Sequence, residues 1–211
     1  MKTVMKKLML ASAMGAVCAT SWAADLVGAS LLTQQHPFYI ELADAMKAQA
    51  AEKGLDLQVS IANQDLSKQL ADVEDFIVKG AKVIVISPVD SKGVFPAIKK
   101  AQDAGIAVIT VDVPANDVEV TSYIGTDNYA GGVKAGDLMA EVLGKKGKVA
   151  LITYPTVQSV VSRIDGFKKA LEAYPETEMV AEQAGICCRL ILIFKEFSVS
   201  ATMRLWRLRW R

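Results

Sequence analysis

Between residues 26 and 183, short apolar runs alternate with longer stretches whose apolar positions recur every three to four residues. Residues 26–32 read as a buried strand. In residues 38–53, Phe38, Leu42, Ala45, Met46 and Gln49 fall at helical spacing behind Pro37, a favoured first-turn residue. Gly54 stands where a helix C-cap calls for a left-handed residue. The cycle then repeats. A strand is predicted at 55–62 and a helix at 67–79, with Leu70, Val73, Phe76 and Ile77 on one face and Gly80 closing it. Next come a strand at 82–87, a helix capped by Ser91 and running to Ala104 before Gly105, and a strand at 106–111. A fifth strand is predicted at 120–125, then a helix at 129–143, a strand at 148–153, a helix at 158–174 and the start of a strand at 179–183. Apolar strands separated by helices predict a parallel sheet covered on both faces. Right-handed crossovers make it a doubly wound α/β fold. Such sheets bind ligands at the carboxyl ends of their strands. The candidate positions are therefore residues 33–39, 63–65, 87–90, 112–116, 126–128 and 154–158.

Charge and cysteine usage divide the chain into three. Residues 1–23 open with Lys2, Lys6 and Lys7, continue with an apolar stretch from Leu8 to Ala19, and end in Ser21-Trp22-Ala23. This is the pattern of a cleavable secretory signal, too short to serve as a bilayer anchor. Residues 24–185 carry 22 Asp and Glu against 15 Lys and Arg, with no Cys and no Trp. That composition suits an oxidising compartment and argues against a nucleic-acid partner. The last 26 residues, 186–211, reverse the balance, with six basic residues against Glu196 alone, and contain Cys187-Cys188 and the run Met-Arg-Leu-Trp-Arg-Leu-Arg-Trp-Arg.

Catalytic and cofactor signals are missing from the sequence. The first strand–helix turn, residues 33–37, has no glycine, as a dinucleotide site would require. No P-loop, nucleophile elbow or zinc-ligand spacing occurs, and His36 is the single histidine, so no Ser–His–Asp triad forms within the chain. Asp112 and Asp127 could be posed as a carboxylate pair, but post-strand Asp residues more often bind or cap. The expectation is a binding protein with no catalytic residues, no cofactor and no metal.

Five segments carry a resemblance: His36-Pro37-Phe38-Tyr39 after the first strand, Ile86-Ser87-Pro88-Val89-Asp90 after the third, Ile109-Thr110-Val111-Asp112 after the fourth, Ile124-Gly125-Thr126-Asp127-Asn128 before a helix with Gly131-Gly132, and Ser162-Arg163 ahead of Gly166-Phe167. In this order and spacing, residues 25–185 resemble the ribose-binding-protein-like periplasmic solute-binding proteins. These are type I periplasmic binding proteins, the sugar receptors of bacterial ABC importers, related to the ligand domains of LacI-type repressors. The resemblance implies two α/β lobes closing on a sugar or polyol, an inner-membrane ABC permease as partner, a periplasmic location and a monomer. A sensory receptor serving a chemotaxis or signalling partner is the alternative. Carried over by position, Phe38 and Tyr39 would offer rings to the sugar's C–H surface, and Asp112 would accept from its hydroxyls. Arg163 would supply donors from the second lobe, with His36 and Ser87 as further polar contacts. Helical spacing alone would equally place Phe38 in a core, and Ser87 could be a plain turn residue before Pro88.

Some positions depart from the ribose-binding pattern: Val113 stands where an arginine follows the aspartate, His36 where an asparagine is usual, and Leu32 where a serine is usual. The pocket should therefore favour another pentose, a hexose, a polyol or a deoxy-sugar. The expected division is a signal at 1–23, a nearly complete first lobe at 24–127, the start of a second at 128–185, and a basic tail at 186–211. Since Met and Trp have single codons, a one-base shift can turn Met203 to Arg211 into an ordinary alanine-rich helix start. The expectation is thus that the tail is frameshift-derived and the second lobe truncated. The signal reading makes a direct prediction. N-terminal sequencing of exported protein should begin at Ala24, and a soluble cytoplasmic product retaining Met1 overturns it.

Overall fold

The computed structural model describes residues 24–185 and the backbone of Ile191–Phe194. The signal segment 1–23, Cys187-Cys188 and the Arg/Trp run at 203–211 lie outside the described residues. The first sheet contains β1 (Leu26–Leu31), β2 (Asp56–Ile61), β3 (Val83–Ile86), β4 (Ala107–Val111) and β5 (Ser122–Ile124). All pairings are parallel, in the order β2-β1-β3-β4-β5. The helices α1 (Pro37–Lys53), α2 (Leu66–Val78) and α3 (Phe95–Asp103) cover both faces. Alternation along β1 shows the division. Ala29 and Leu31 join Tyr39 and Ala43 of α1 in one core. On the opposite face Gly28 lies under Phe76 of α2, where a Cβ would stand 2.3 Å from the ring, and Ser30 bonds Asp72. Phe76 and Val73 of α2 pack there with Ile84, Ile86, Ile98 and Val108.

A second layer pair follows: α4 (Asn128–Val142), β6 (Gly147–Thr153), α5 (Gln158–Leu171) and β7 (Thr177–Ala184). Val149 and Leu151 of β6 meet Met139, Ala140 and Leu143 of α4 and Ile164, Phe167 and Leu171 of α5. The helices cross at very close range because glycines face each other. A Cβ at Gly132 would lie 2.0 Å from the Arg163 carbonyl oxygen, one at Gly166 2.1 Å from that of Tyr129, and one at Gly136 2.6 Å from Ala170 Cβ. Among the described residues, nothing lies within 4 Å of a Cβ added at Gly131.

Most predicted elements stand where the apolar pattern put them, with ends shifted by a few residues. Two expectations are corrected. Ser91 does not cap α3: the chain makes a turn over residues 91–94 and the helix begins at Phe95, with Val94 at its N-cap and no side-chain cap. Ser91 Oγ instead accepts from the Gln158 amide, 3.0 Å away on α5. The second sheet is also mixed. It has the order β7-β6-β8, where β7 is parallel to β6 but β8 (Ile191–Phe194), within the segment expected to leave the pattern, runs antiparallel to β6.

The glycine contacts yield a paired prediction for chemical unfolding. Gly132→Ala forces backbone apart and should cost about 1–3 kcal/mol of stability. Gly131→Ala, in the same helix with open space, should be neutral or stabilise by about 0.5–1 kcal/mol. Equal effects at the two positions would show that the close crossing does not limit the fold.

Candidate ligand-binding site

In an open parallel sheet the crevice lies where strand order reverses, here at the carboxyl ends of β1 and β3. Three of the candidate residues meet there. Tyr39, in the first turn of α1, is only 6% exposed, so its ring is part of the core. Its hydroxyl donates to Asp112 Oδ2 at 2.7 Å and lies 3.0 Å from Ser87 Oγ. Ser87, just beyond β3, is fully buried. Asp112, just beyond β4, is half-buried and adopts left-handed backbone (φ 62°), a conformation that Asp tolerates better than most non-glycine residues. Its amide donates to the Ile124 carbonyl at 2.9 Å, and Tyr123 Oη donates to its backbone carbonyl at 3.2 Å. Burial pushes the Tyr123 phenol pKa up, and the neighbouring Asp112 carboxylate adds to the shift.

The remaining candidates are placed differently. His36 is the N-cap of α1, and its Nδ1 accepts from the Phe38 amide at 3.1 Å. That bond leaves Nε2 as the ring atom for any outward contact. Phe38 is 42% exposed and packs edge-on against Tyr39, with ring centroids 5.1 Å apart. Arg163 is exposed on α5, and its guanidinium donates to Asn128 Oδ1 at the start of α4. Leu32 and Val113 are buried in the α1-side core, which also holds Val157, Val113 being 1% exposed.

One residue that shapes the site escaped the sequence reading. Gln69 of α2 is fully buried, donating through Nε2 to the Ser87 carbonyl at 2.9 Å and accepting the Val89 amide at 2.8 Å. Its spacing of four and seven from Val73 and Phe76 was the available signal, since it places an amide on the buried face. A second group joins the two halves of the molecule. Besides the bond from Gln158 to Ser91, the Ser91 amide donates to the Thr156 carbonyl at 2.9 Å and Asn116 Nδ2 donates to Gln158 Oε1 at 3.0 Å. Val157 is buried in the first-sheet core. The loop after β6 is thus held on the first sheet by both an apolar anchor and hydrogen bonds.

A model of the periplasmic binding protein domain matches residues 27–187. The chain belongs to this family. It is 37% identical over 170 residues to a ribose import binding protein of Haemophilus influenzae, covering 80% of this chain and 58% of that one. Among solved structures it resembles an ABC transporter solute binding protein from Mycobacterium smegmatis with bound glycerol (40% identity, TM-score 0.70, 75% of this chain and 56% of the other). It also resembles a Caulobacter myo-inositol binding protein bound to myo-inositol (30% identity, TM-score 0.72, covering 77% and 56%). The chain therefore spans a little over half the length of these periplasmic binding protein relatives. These relatives are solute-binding proteins rather than enzymes. Among the described residues, no helix is long and apolar enough to cross a membrane.

The junction between the halves is testable by hydrogen exchange. Ser91→Ala leaves the Gln158 amide without its acceptor, so that amide should exchange at least tenfold faster, with a stability loss of about 1–3 kcal/mol. Unchanged exchange at Gln158 overturns the assignment of Ser91 to the junction.

Proposed function

We propose that the chain is the ligand-binding part of a periplasmic sugar or polyol receptor that delivers its ligand to an inner-membrane ABC permease. Export by the segment 1–23 places it in the periplasm, and it performs no chemistry on the ligand. The observation that carries this reading is the Asp112 carboxylate, half-buried at the crevice and held by Tyr39. An ionised carboxylate accepts from hydroxyl groups through short, strong bonds, the interaction a polyhydroxy ligand offers in abundance. Phe38, with a partly exposed ring at the same turn, supplies an apolar surface for the ligand's C–H face. Arg163 and the outward edge of His36 are proposed as the further polar contacts, Arg163 from the second half of the molecule.

The acidic balance of residues 24–185 supports a neutral ligand rather than nucleic acid. The buried Leu32 and Val113 support a pocket with fewer donors than a ribose site, open to hexoses, polyols or deoxy-sugars.

Calorimetric titration with D-ribose, D-allose, myo-inositol and glycerol tests the proposal. Saturable binding of at least one is expected, with no conversion of the ligand on prolonged incubation. Asp112→Asn keeps the shape and the left-handed preference while removing the charge, and should weaken binding by about 1.5–3 kcal/mol. Parent-like affinity in this variant would remove Asp112 from the site, and turnover of the sugar would replace the receptor reading with an enzymatic one.

A further inference from the structure

We infer that Tyr39 is a positioning residue: anchored by Ser87, its hydroxyl fixes the Asp112 carboxylate so that a ligand hydroxyl meets a preset acceptor. The inference rests on the receptor reading above and gives Tyr39 and Ser87 roles other than direct sugar contacts. It begins with the count of protons. Tyr39 Oη lies 2.7 Å from Asp112 Oδ2 and 3.0 Å from Ser87 Oγ. An ionised carboxylate only accepts, and a phenol has one proton, so Tyr39 donates to Asp112. The bond to Ser87 must then run the other way, from Ser87 Oγ–H to the Tyr39 oxygen. The direction of the chain Ser87 to Tyr39 to Asp112 is thereby fixed.

Burial then assigns the roles. Ser87 is fully buried and Tyr39 is 6% exposed, so neither presents its hydroxyl on an open surface, whereas Asp112 is half-buried. Ser87 is itself held through its backbone, its amide donating to the Ser30 carbonyl at 2.9 Å and its carbonyl accepting from Gln69. One carboxylate oxygen is thus engaged from below by a rigid relay, leaving the other oxygen as the ligand's acceptor. At the Asp112 position the crevice accepts and does not donate. It selects ligands that bring hydroxyl protons to that position and disfavours those that present an ether or ketone oxygen there. Holding the acceptor in advance spares the ligand the cost of ordering it.

The test uses the full 211-residue chain as parent, Tyr39→Phe, Asp112→Gly and the double variant. Thermal unfolding without sugar reads the pairing, and non-additive losses are expected from residues in direct contact. Titration with D-ribose, D-allose and myo-inositol reads the role. Tyr39→Phe retains the ring and should weaken the best of the three by about tenfold, the range of a single hydrogen bond. In the Asp112→Gly background, which tolerates the left-handed backbone and has no side-chain acceptor, the same change should alter affinity less than twofold, because Tyr39 acts through that carboxylate. An equal loss in both backgrounds means that the ring or hydroxyl serves the ligand independently and overturns the inference, as does parent-like affinity in Tyr39→Phe. A parent that binds none of the three, nor glycerol, at millimolar concentration overturns the receptor reading and the positioning role with it. The unfolding data then still report whether the hydroxyl and carboxylate are coupled.

Discussion

At the end of β4 the backbone turns through a left-handed residue, Asp112, and buries the next one, Val113. A left-handed conformation costs a non-glycine residue on the order of 1 kcal/mol or more and persists only where its surroundings over-determine it. Here they do. The Val113 side chain is buried in the core cluster that also holds Val89, Val111 and Val157, while the Asp112 amide is held by the β5 carbonyl of Ile124. With Val113 fixed inward, the Asp112 side chain is delivered to the crevice, within reach of Tyr39. The valine that breaks the ribose-like pattern therefore has a structural task. Its burial helps to hold the strained turn, and the carboxylate's position follows.

The same valine links the halves of the molecule. Val157, the N-cap of α5, is buried in the same core cluster as Val113, and Gln158 is held by Ser91 and Asn116 from loops of the first half. A sequence reading makes Ser91 a helix cap, because a serine ahead of a helical pattern satisfies local amides in most proteins. The amide it satisfies lies 67 positions away. Local pattern carries no information about such a partner, so the misassignment has a physical origin. Arg163 presents a similar case. Its place on a helix after β6 is legible, but its engagement with Asn128 depends on how closely α4 and α5 approach.

What the pattern did expose were the features with local causes. The central strands of the first sheet, β1, β3 and β4, are short and largely apolar, and their order of appearance with intervening helices leaves few topologies open. Gly54, Gly80 and Gly105 all adopt positive φ just after helices, as their positions implied. Asp112, Tyr39 and Ser87 were legible as crevice residues because each follows a strand of a doubly wound sheet. Their relation to one another was not, since it requires the distance between a helix turn and two strand ends. Whether Tyr39 offers a face or a hydroxyl is a matter of rotation and burial that residue type alone does not decide. β5, with all three residues exposed at the sheet edge, was the least legible strand because its length and burial are both small.

The two halves are geometrically dependent on each other, and this bears on how a ligand would be read. The orientation of Arg163 is set by α5, which is set at its start by Ser91 and Asn116 and along its length by the glycine crossing with α4. Asp112 is set by Val113, which shares its core with the residue immediately before α5. The acceptor proposed for the first half and the donors proposed for the second thus stand on elements that meet at one junction. Differential contacts of this kind give a ligand that touches both halves a means to favour one relative arrangement over another. A substitution at Val113 or Val157 would therefore act on recognition without touching the ligand, by moving the carboxylate and the guanidinium relative to each other.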